Sequence, residues 1–396
     1  MHILLFILYS LIAGYLVSRL PFFRDSGIGI PALLLLFFLR VGTGLLHTVI
    51  AWRYYPYHGD IWSFYNGSFL TRSELQQGFS VFWTDVSRIS YLPHNVLECI
   101  HILFNVFSFD NIYINTLFFD FFVFAGSIAL FRYFMRIFRN DLIPSLTALL
   151  LPSTLYWTSC MYTEGILYAA LGFFFFYLYR RNPLALLFLG VTIFFRPSLA
   201  LSLLPALLLW LLYKYSSGRR RKTLLLSASI ATLLLLCLPP VSHKLLSQLS
   251  ERQSEFQQLT GNSRLSLPTL QPNWTSFWSS FPFAWRNSFL EPLPGSGGQP
   301  IYLIFSLELL AIWVLVLLAL FSVLRRPSSK IPNPKISNLP SLPYPALAGL
   351  VFVFIGLLVI GYVVPFAGAI IRYRSIYFPF LLAPFLHLYS VSRKLE

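Results

Sequence analysis

The sequence predicts an all-α fold, a polytopic transmembrane helical bundle of about eleven spans with two long outer-face loops containing short helices. Three observations predict it. Of the 396 residues, 57% are hydrophobic and only 11% are charged, whereas a soluble domain of this length carries roughly 25% charged residues. Apolar runs such as 31–38, 201–212 and 309–324 recur along the whole chain instead of forming one core block. The Lys and Arg residues sit in short clusters between those runs, so the net charge of +15 speaks for membrane topology and against nucleic acid.

Taken in order, the expected spans are 3–22, 29–51, 112–138, 142–158, 164–180, 184–195, 198–213, 223–242, 301–324, 345–365 and 375–391. All belong to a single membrane domain. A full crossing needs roughly 20 residues. The pair 184–195 and 198–213 is short, and is expected to tilt, kink at Pro197 or partly re-enter. The first span lacks a basic leader and a clear small-residue cleavage site, so it reads as a retained helix. Cys99, Cys160 and Cys237 are widely separated and offer neither metal-ligand spacing nor a disulfide framework.

Charge sets the orientation. Clusters at Arg132/Arg136/Arg139, Arg180/Arg181, Lys214 with 219–222, Arg325/Arg326/Lys330/Lys335 and Arg393/Lys394, together with Arg19 and Arg24, hold eighteen of the 29 basic residues. The span map puts every cluster on one side. The positive-inside rule then makes that side cytoplasmic, with the N-terminus outside and the C-terminus inside. Two long segments, 53–111 and 243–300, fall on the outer face and hold more than half of the 14 acids. Both are rich in Trp, Tyr, Pro, Asn and Ser, and interleaved aromatics argue against disorder. Long segments of this kind are usually functional.

In the first outer loop, Tyr57-His58-Gly59-Asp60 follows directly on a span, and Asp60 is the first acid to emerge there. It reads either as a general base or divalent-ion ligand, or as a turn residue capping the helix that starts at Ile61. His94 heads an amphipathic stretch, 96–109, that fits an interfacial helix in the membrane plane. It reads as a base or ligand, or as a helix-start histidine held by hydrogen bonds. Glu164, after Thr163, begins a span at the outer surface; a binding role stands beside a first-turn acid favoured by the helix dipole.

Three arginines complete the set. Arg196, between two short apolar segments with no acid beside it in sequence, is costly at membrane depth unless an anion satisfies it. Its alternative is snorkelling to headgroups. Arg372 and Arg374 precede the last span on the face where positive charge is depleted, which suits a lipid-linked phosphate through bidentate contacts or nonspecific headgroup binding. Arg40, inside the second span, is expected to pair with Asp120 or Glu308 as a structural element. Trp274, Trp278, Trp285 and Arg286 in the second loop suit stacking on sugars or anchoring at the interface.

On these residues the chain resembles the integral-membrane glycosyltransferases of the C superfamily. The likeness rests on Gly59-Asp60, the hairpin with Pro152-Ser153, Trp157-Thr158-Ser159 and Glu164, the Arg196-Pro197 segment, and Arg372-Tyr373-Arg374. It covers most of residues 29–215 and 345–391. Bacterial members with a Gly-Asp in the first loop are nearest in style, and the mannosyltransferases that build glycolipid anchors are more distant. Members often carry paired acids where this chain has His58-Gly59-Asp60, which bears on metal dependence more than on the base. An additional helix, 3–22, precedes the usual first span.

The resemblance implies sugar transfer from a polyprenyl-phosphate donor to a lipid-linked or glycan acceptor outside the cytoplasm. Asp60 would be the catalytic base. Arg196, Arg372 and Arg374 would bind donor phosphate. His58, Tyr57, His94, Glu164, Trp285 and Arg286 would line the substrates. A divalent cation, Mg2+ or Mn2+, is the one cofactor this chemistry admits, and no protein-held metal or nucleic acid is expected. A bacterial inner membrane is the expected location, with the endoplasmic reticulum as the alternative. A polysaccharide polymerase or ligase, or a lipid-linked glycan flippase, are the rival functions.

Overall fold

The computed structural model describes residues 1–55, 59–87, 92–215, 238–260, 263–294, 300–325 and 342–393. Among them there is no strand, only an isolated antiparallel bridge between Arg264 and Phe366. The helices are α1 (His2–Arg19), α2 (Pro21–Arg24), α3 (Ile30–Tyr54), α4 (Gly59–Gln77), α5 (Phe79–Val86), α6 (Leu92–Ser108), α7 (Ile112–Ile137), α8 (Leu142–Leu150), α9 (Pro152–Thr158), α10 (Thr163–Tyr179), α11 (Leu184–Phe195) and α12 (Pro197–Tyr215). They continue as α13 (Pro239–Gln258), α14 (Trp274–Phe289), α15 (Pro300–Leu324), α16 (Tyr344–Val363), α17 (Ala367–Arg374) and α18 (Phe378–Arg393).

Five of them, α1, α3, α7, α15 and α16, are long and apolar enough to cross a membrane. They match five of the expected spans. The last expected span, 375–391, is α18, and α17 before it passes the same test only together with α18, the two meeting at 60°. The expected span 142–158 is also interrupted, because Leu151 is extended and Pro152 opens a new helix, proline having no N–H to continue the old one. Helices α10 and α11 are apolar but shorter than a crossing, as is the 197–211 part of α12. Most of the expected span 223–242 lies outside the described residues.

Met1–Phe134 with Ala148–Pro197 form one compact unit, and Met135–Thr147 with Ser198–Glu396 form another. In the first unit α1 packs on α3, α3 on α4 and α9, and α10 on α11. Helices α7 and α10 cross at glycines: a Cβ on Gly172 would strike the carbonyl of Gly126, and one on Gly126 would strike Ala169. Small residues allow such backbone approach where no water drives helices together. Arg40 is where the cost of a lone charge predicts, its Nε 3.5 Å from Asp120 Oδ1 on α7. Its Nη1 donates to Ser127 Oγ at 3.0 Å and its Nη2 to Thr158 Oγ1, fastening α3 to both α7 and α9.

In the second unit α18 packs on α15 and α16, while α13 and α14 lie on α16. Gln253 of α13 is the fastener, donating to the Tyr362 carbonyl at 2.8 Å and accepting from the Leu270 N–H at 2.6 Å. Tyr362 in turn stacks on Phe277 of α14 at 4.4 Å and donates to its carbonyl at 2.9 Å. Segments 53–111 and 243–300 hold α4, α5 and α6 in the first and α13 and α14 in the second, helices of 8 to 20 residues. Outward, α1 presents Ile3, Leu4, Leu8 and Leu11, and α15 presents Leu303, Ile304, Leu307 and Leu317. Apolar faces of that extent are stable against acyl chains and not against water.

Candidate functional site

Asp60 stands in the first turn of α4 with its side chain exposed. The turn before it depends on Gly59, whose φ of +70° is a left-handed value that glycine adopts without strain. Tyr55 crowds the same point, its ring 3.0 Å from where a Cβ on Gly59 would sit, with the Tyr162 hydroxyl at 3.7 Å. Under this turn lies an aromatic floor. Tyr55 and Tyr156 share a hydroxyl–hydroxyl bond of 2.9 Å. His47 stacks on Tyr156 at 3.8 Å, and its Nδ1 lies 2.8 Å from the Tyr156 carbonyl. That carbonyl fixes Nδ1 as the protonated nitrogen, so the Cys160 sulfur 3.2 Å away meets a donor and not a base. Tyr57 and His58 lie outside the described residues.

The packing of α10 on α11 brings two sequence candidates together. Arg196, at the end of α11, donates from Nη2 to Glu164 Oε1 at 2.6 Å, with Glu164 fully buried and the arginine side chain 20% exposed. Thr163 adds a bond to Glu164 Oε2 at 3.2 Å. Sequence neighbours gave no hint of this partner, which sits 32 positions away. The anion that satisfies Arg196 is thus a carboxylate of its own unit.

His94 lies in the first turn of α6, and its Nε2 is 3.0 Å from Glu98 Oε1. Thr71 of α4 donates to the other Glu98 oxygen at 2.6 Å. The histidine is therefore hydrogen-bonded at the helix start, the blander of its two expected roles. One face of α6 is polar and buried: Glu98, His101, Asn105 and Ser108. Asn115 of α7 donates to Asn105 Oδ1 at 2.6 Å and approaches His101 Nδ1 at 3.2 Å.

In the second unit Arg286 is largely exposed and grips Glu291 through Nε at 3.1 Å and Nη2 at 2.9 Å. Trp285 stacks on Phe289 at 4.2 Å. It closes a file of rings along one side of α14, in which Trp274, Trp278, Phe281 and Trp285 follow one another at 6.5, 6.1 and 6.0 Å. Arg372 and Arg374 sit on the last turn of α17, just before the 60° bend, and differ sharply. Arg372 is half-buried with its guanidinium over the Tyr373 ring at 5.8 Å. Arg374 is fully buried, donating to the carbonyls of Ser288, at 3.4 Å, and Glu291. It holds the end of α14 in place, a role sequence reasoning missed because the acceptors are backbone atoms more than 80 positions away.

Glu98 and Glu291 were also missed as partners, although each lies close in sequence to its basic residue, four positions after His94 on α6 and five after Arg286 at the end of α14. Among the described residues no group of three or more His, Cys, Asp or Glu side chains is placed to hold a metal ion. Comparison with family models, with curated proteins and with solved structures returned no match.

Proposed function

We propose that the chain is a membrane glycosyltransferase that moves a hexosyl or pentosyl group from a polyprenyl-phosphate donor to a lipid-linked or glycan acceptor. The reading carries with it eleven crossings, a reaction at the outer face, and a bacterial inner membrane in preference to the endoplasmic reticulum. The observation that carries it is Asp60: an exposed carboxylate on the first helical turn after a span, above a floor of Tyr55, Tyr156 and Tyr162. Such a group can accept a proton from a sugar or lipid hydroxyl, and the part-exposed Tyr55 ring beside Gly59 suits a sugar face.

In this mechanism Asp60 takes the acceptor's hydroxyl proton as the oxygen attacks the anomeric carbon. The bond from that carbon to the phosphate oxygen breaks, the electron pair leaves with the polyprenyl phosphate, and the anomeric configuration inverts. Arg196, already charge-balanced by Glu164 and in the same unit as Asp60, is the phosphate contact of this mechanism. Fixed cations stabilise charge that grows on a leaving group. A divalent ion on the donor phosphate would add to that effect.

The test is sugar transfer by purified protein from a panel of polyprenyl-phosphate sugars, with Asp60→Asn beside wild type. Loss of a hundredfold or more in the folded variant supports the base role; undiminished transfer removes it. A flippase reading has one observation of its own, the Arg40–Asp120 pair inside two spans, because intramembrane charges often mark transport paths. Flipping that survives Asp60→Asn and stops in Asp120→Asn would favour it. A polymerase or ligase shares the Asp60 chemistry and would transfer whole glycans from lipid-linked oligosaccharides.

A further inference from the structure

Helix α6 is amphipathic in the inverse sense. Four of its five buried positions are polar, Glu98, His101, Asn105 and Ser108, spaced three, four and three residues apart on one face, the fifth being Leu97. The opposite side, continuing past the helix end, carries Leu103, Val106, Phe107 and Phe109, which are 55–63% exposed. A helix lying on protein with its other side in water shows the reverse pattern.

Most of the polar side is paired within the protein, His101 Nε2 being a buried atom there with no hydrogen-bond partner among the described residues. Thr71 bonds Glu98 at 2.6 Å, Ser68 accepts from Asn105 at 3.2 Å, and Asn115 donates to Asn105 at 2.6 Å. Polar groups turned inward and paired, with hydrocarbon turned outward, is what an apolar solvent demands. The neighbours of α6 agree. Tyr9, midway along α1, donates to the Phe107 carbonyl at 2.9 Å, and Phe104 meets Phe118 and Phe122 of α7 at 5.6 and 6.4 Å. The apolar side of α6 therefore continues the outward apolar face of the membrane-length helix α1. Polar groups mark the two ends: His94 is 43% exposed, and Arg72 and Asp110, paired at 2.9 Å, are 37% and 38% exposed.

We infer that α6 is embedded in the membrane with Leu103, Val106, Phe107 and Phe109 against lipid acyl chains, its ends reaching the headgroup layer. It is not a helix resting on the surface with its polar side in water. The inference is independent of any sugar-transfer activity. Its occupant is lipid because the polar face is already covered and the apolar face is continuous with that of a span.

The test uses full-length protein in liposomes, with nitroxide labels placed singly at 103, 106 and 107 in a cysteine-free background. Leu8 on α1 serves as the lipid reference and Ser73 on α4 as the aqueous one. Collision with oxygen exceeding collision with a water-soluble nickel chelate, as at Leu8, is the expected result. Nickel accessibility like that of Ser73 would overturn the proposal. So would spin–spin broadening in fully labelled protein that disappears on dilution with unlabelled chain, since a second copy would then cover the face. Because Cys160 is buried beside His47, a cysteine-free chain can fail to fold, and Val106→Lys in the otherwise native chain gives an independent reading. Its thermal midpoint in liposomes should fall by several degrees, and an unchanged midpoint would also overturn the proposal.

Discussion

A carboxylate with no exposed surface and a guanidinium one-fifth exposed, 2.6 Å apart, describe Glu164 and Arg196. Removing one partner of such a pair leaves an uncompensated buried charge, at a cost of about 3–5 kcal/mol, while replacing both by apolar groups is often near neutral. Arg196→Met should therefore lower stability by about that amount, and Arg196→Met with Glu164→Leu should recover most of it, as read by thermal unfolding in detergent. The double variant also separates two roles for Arg196. If the arginine only balances Glu164, the refolded double variant keeps its sugar transfer; if it also binds donor phosphate, transfer stays lost and the donor KM rises. Sequence legibility at this scale followed cost. Arg40 within a span had to find an acid, and Asp120 was one of two expected. Arg196 had no acid nearby in sequence, and only the folding of α10 against α11 reveals its partner.

Helices were legible where length and composition agreed, as in α1, α3, α7, α15 and α16. They were less so where a proline breaks an apolar run, as at Leu151–Pro152, or where a bend divides one, as between α17 and α18. For α6 the sequence showed two faces but not which one turns inward, because periodicity is symmetric between core and solvent and only the solvent's polarity decides. Glycines were illegible for a similar reason, since pattern does not tell a contact glycine from a surface one. Gly172 and Gly190 are both helical, but a Cβ on Gly172 would strike the Gly126 carbonyl while one on Gly190 meets nothing within 4 Å. Gly172→Ala should thus force α10 away from α7 and destabilise by about 1–3 kcal/mol. Gly190→Ala should be neutral or stabilise by up to about 1 kcal/mol, the helix propensity difference. Equal effects of the two on the thermal midpoint would mean that α7 and α10 do not cross at these residues.

At the scale of the whole chain, charge sorts the connecting segments more sharply than hydropathy does. Helix α11 has 12 residues, about 18 Å at 1.5 Å per residue, well short of a membrane core of about 30 Å. Length alone therefore does not say whether it crosses. Charge supplies an expectation: the turn between α10 and α11 carries Arg180 and Arg181, whereas the far ends of the same two helices meet at the charge-balanced Glu164–Arg196 pair. On the positive-inside rule we propose that the turn faces the cytoplasm and the pair the opposite side. Single cysteines at Asn140 and Asn182 should accordingly be blocked by a membrane-impermeant thiol reagent only in inverted vesicles, and those at Ser73 and Thr275 only in right-side-out ones. All four positions are exposed, so access reports sidedness and not burial. Labelling of Asn182 from the same side as Ser73 would make α10 and α11 a re-entrant pair, lower the crossing count by two, keep the later basic clusters on their expected side, and leave only Arg180 and Arg181 to be explained by headgroup binding.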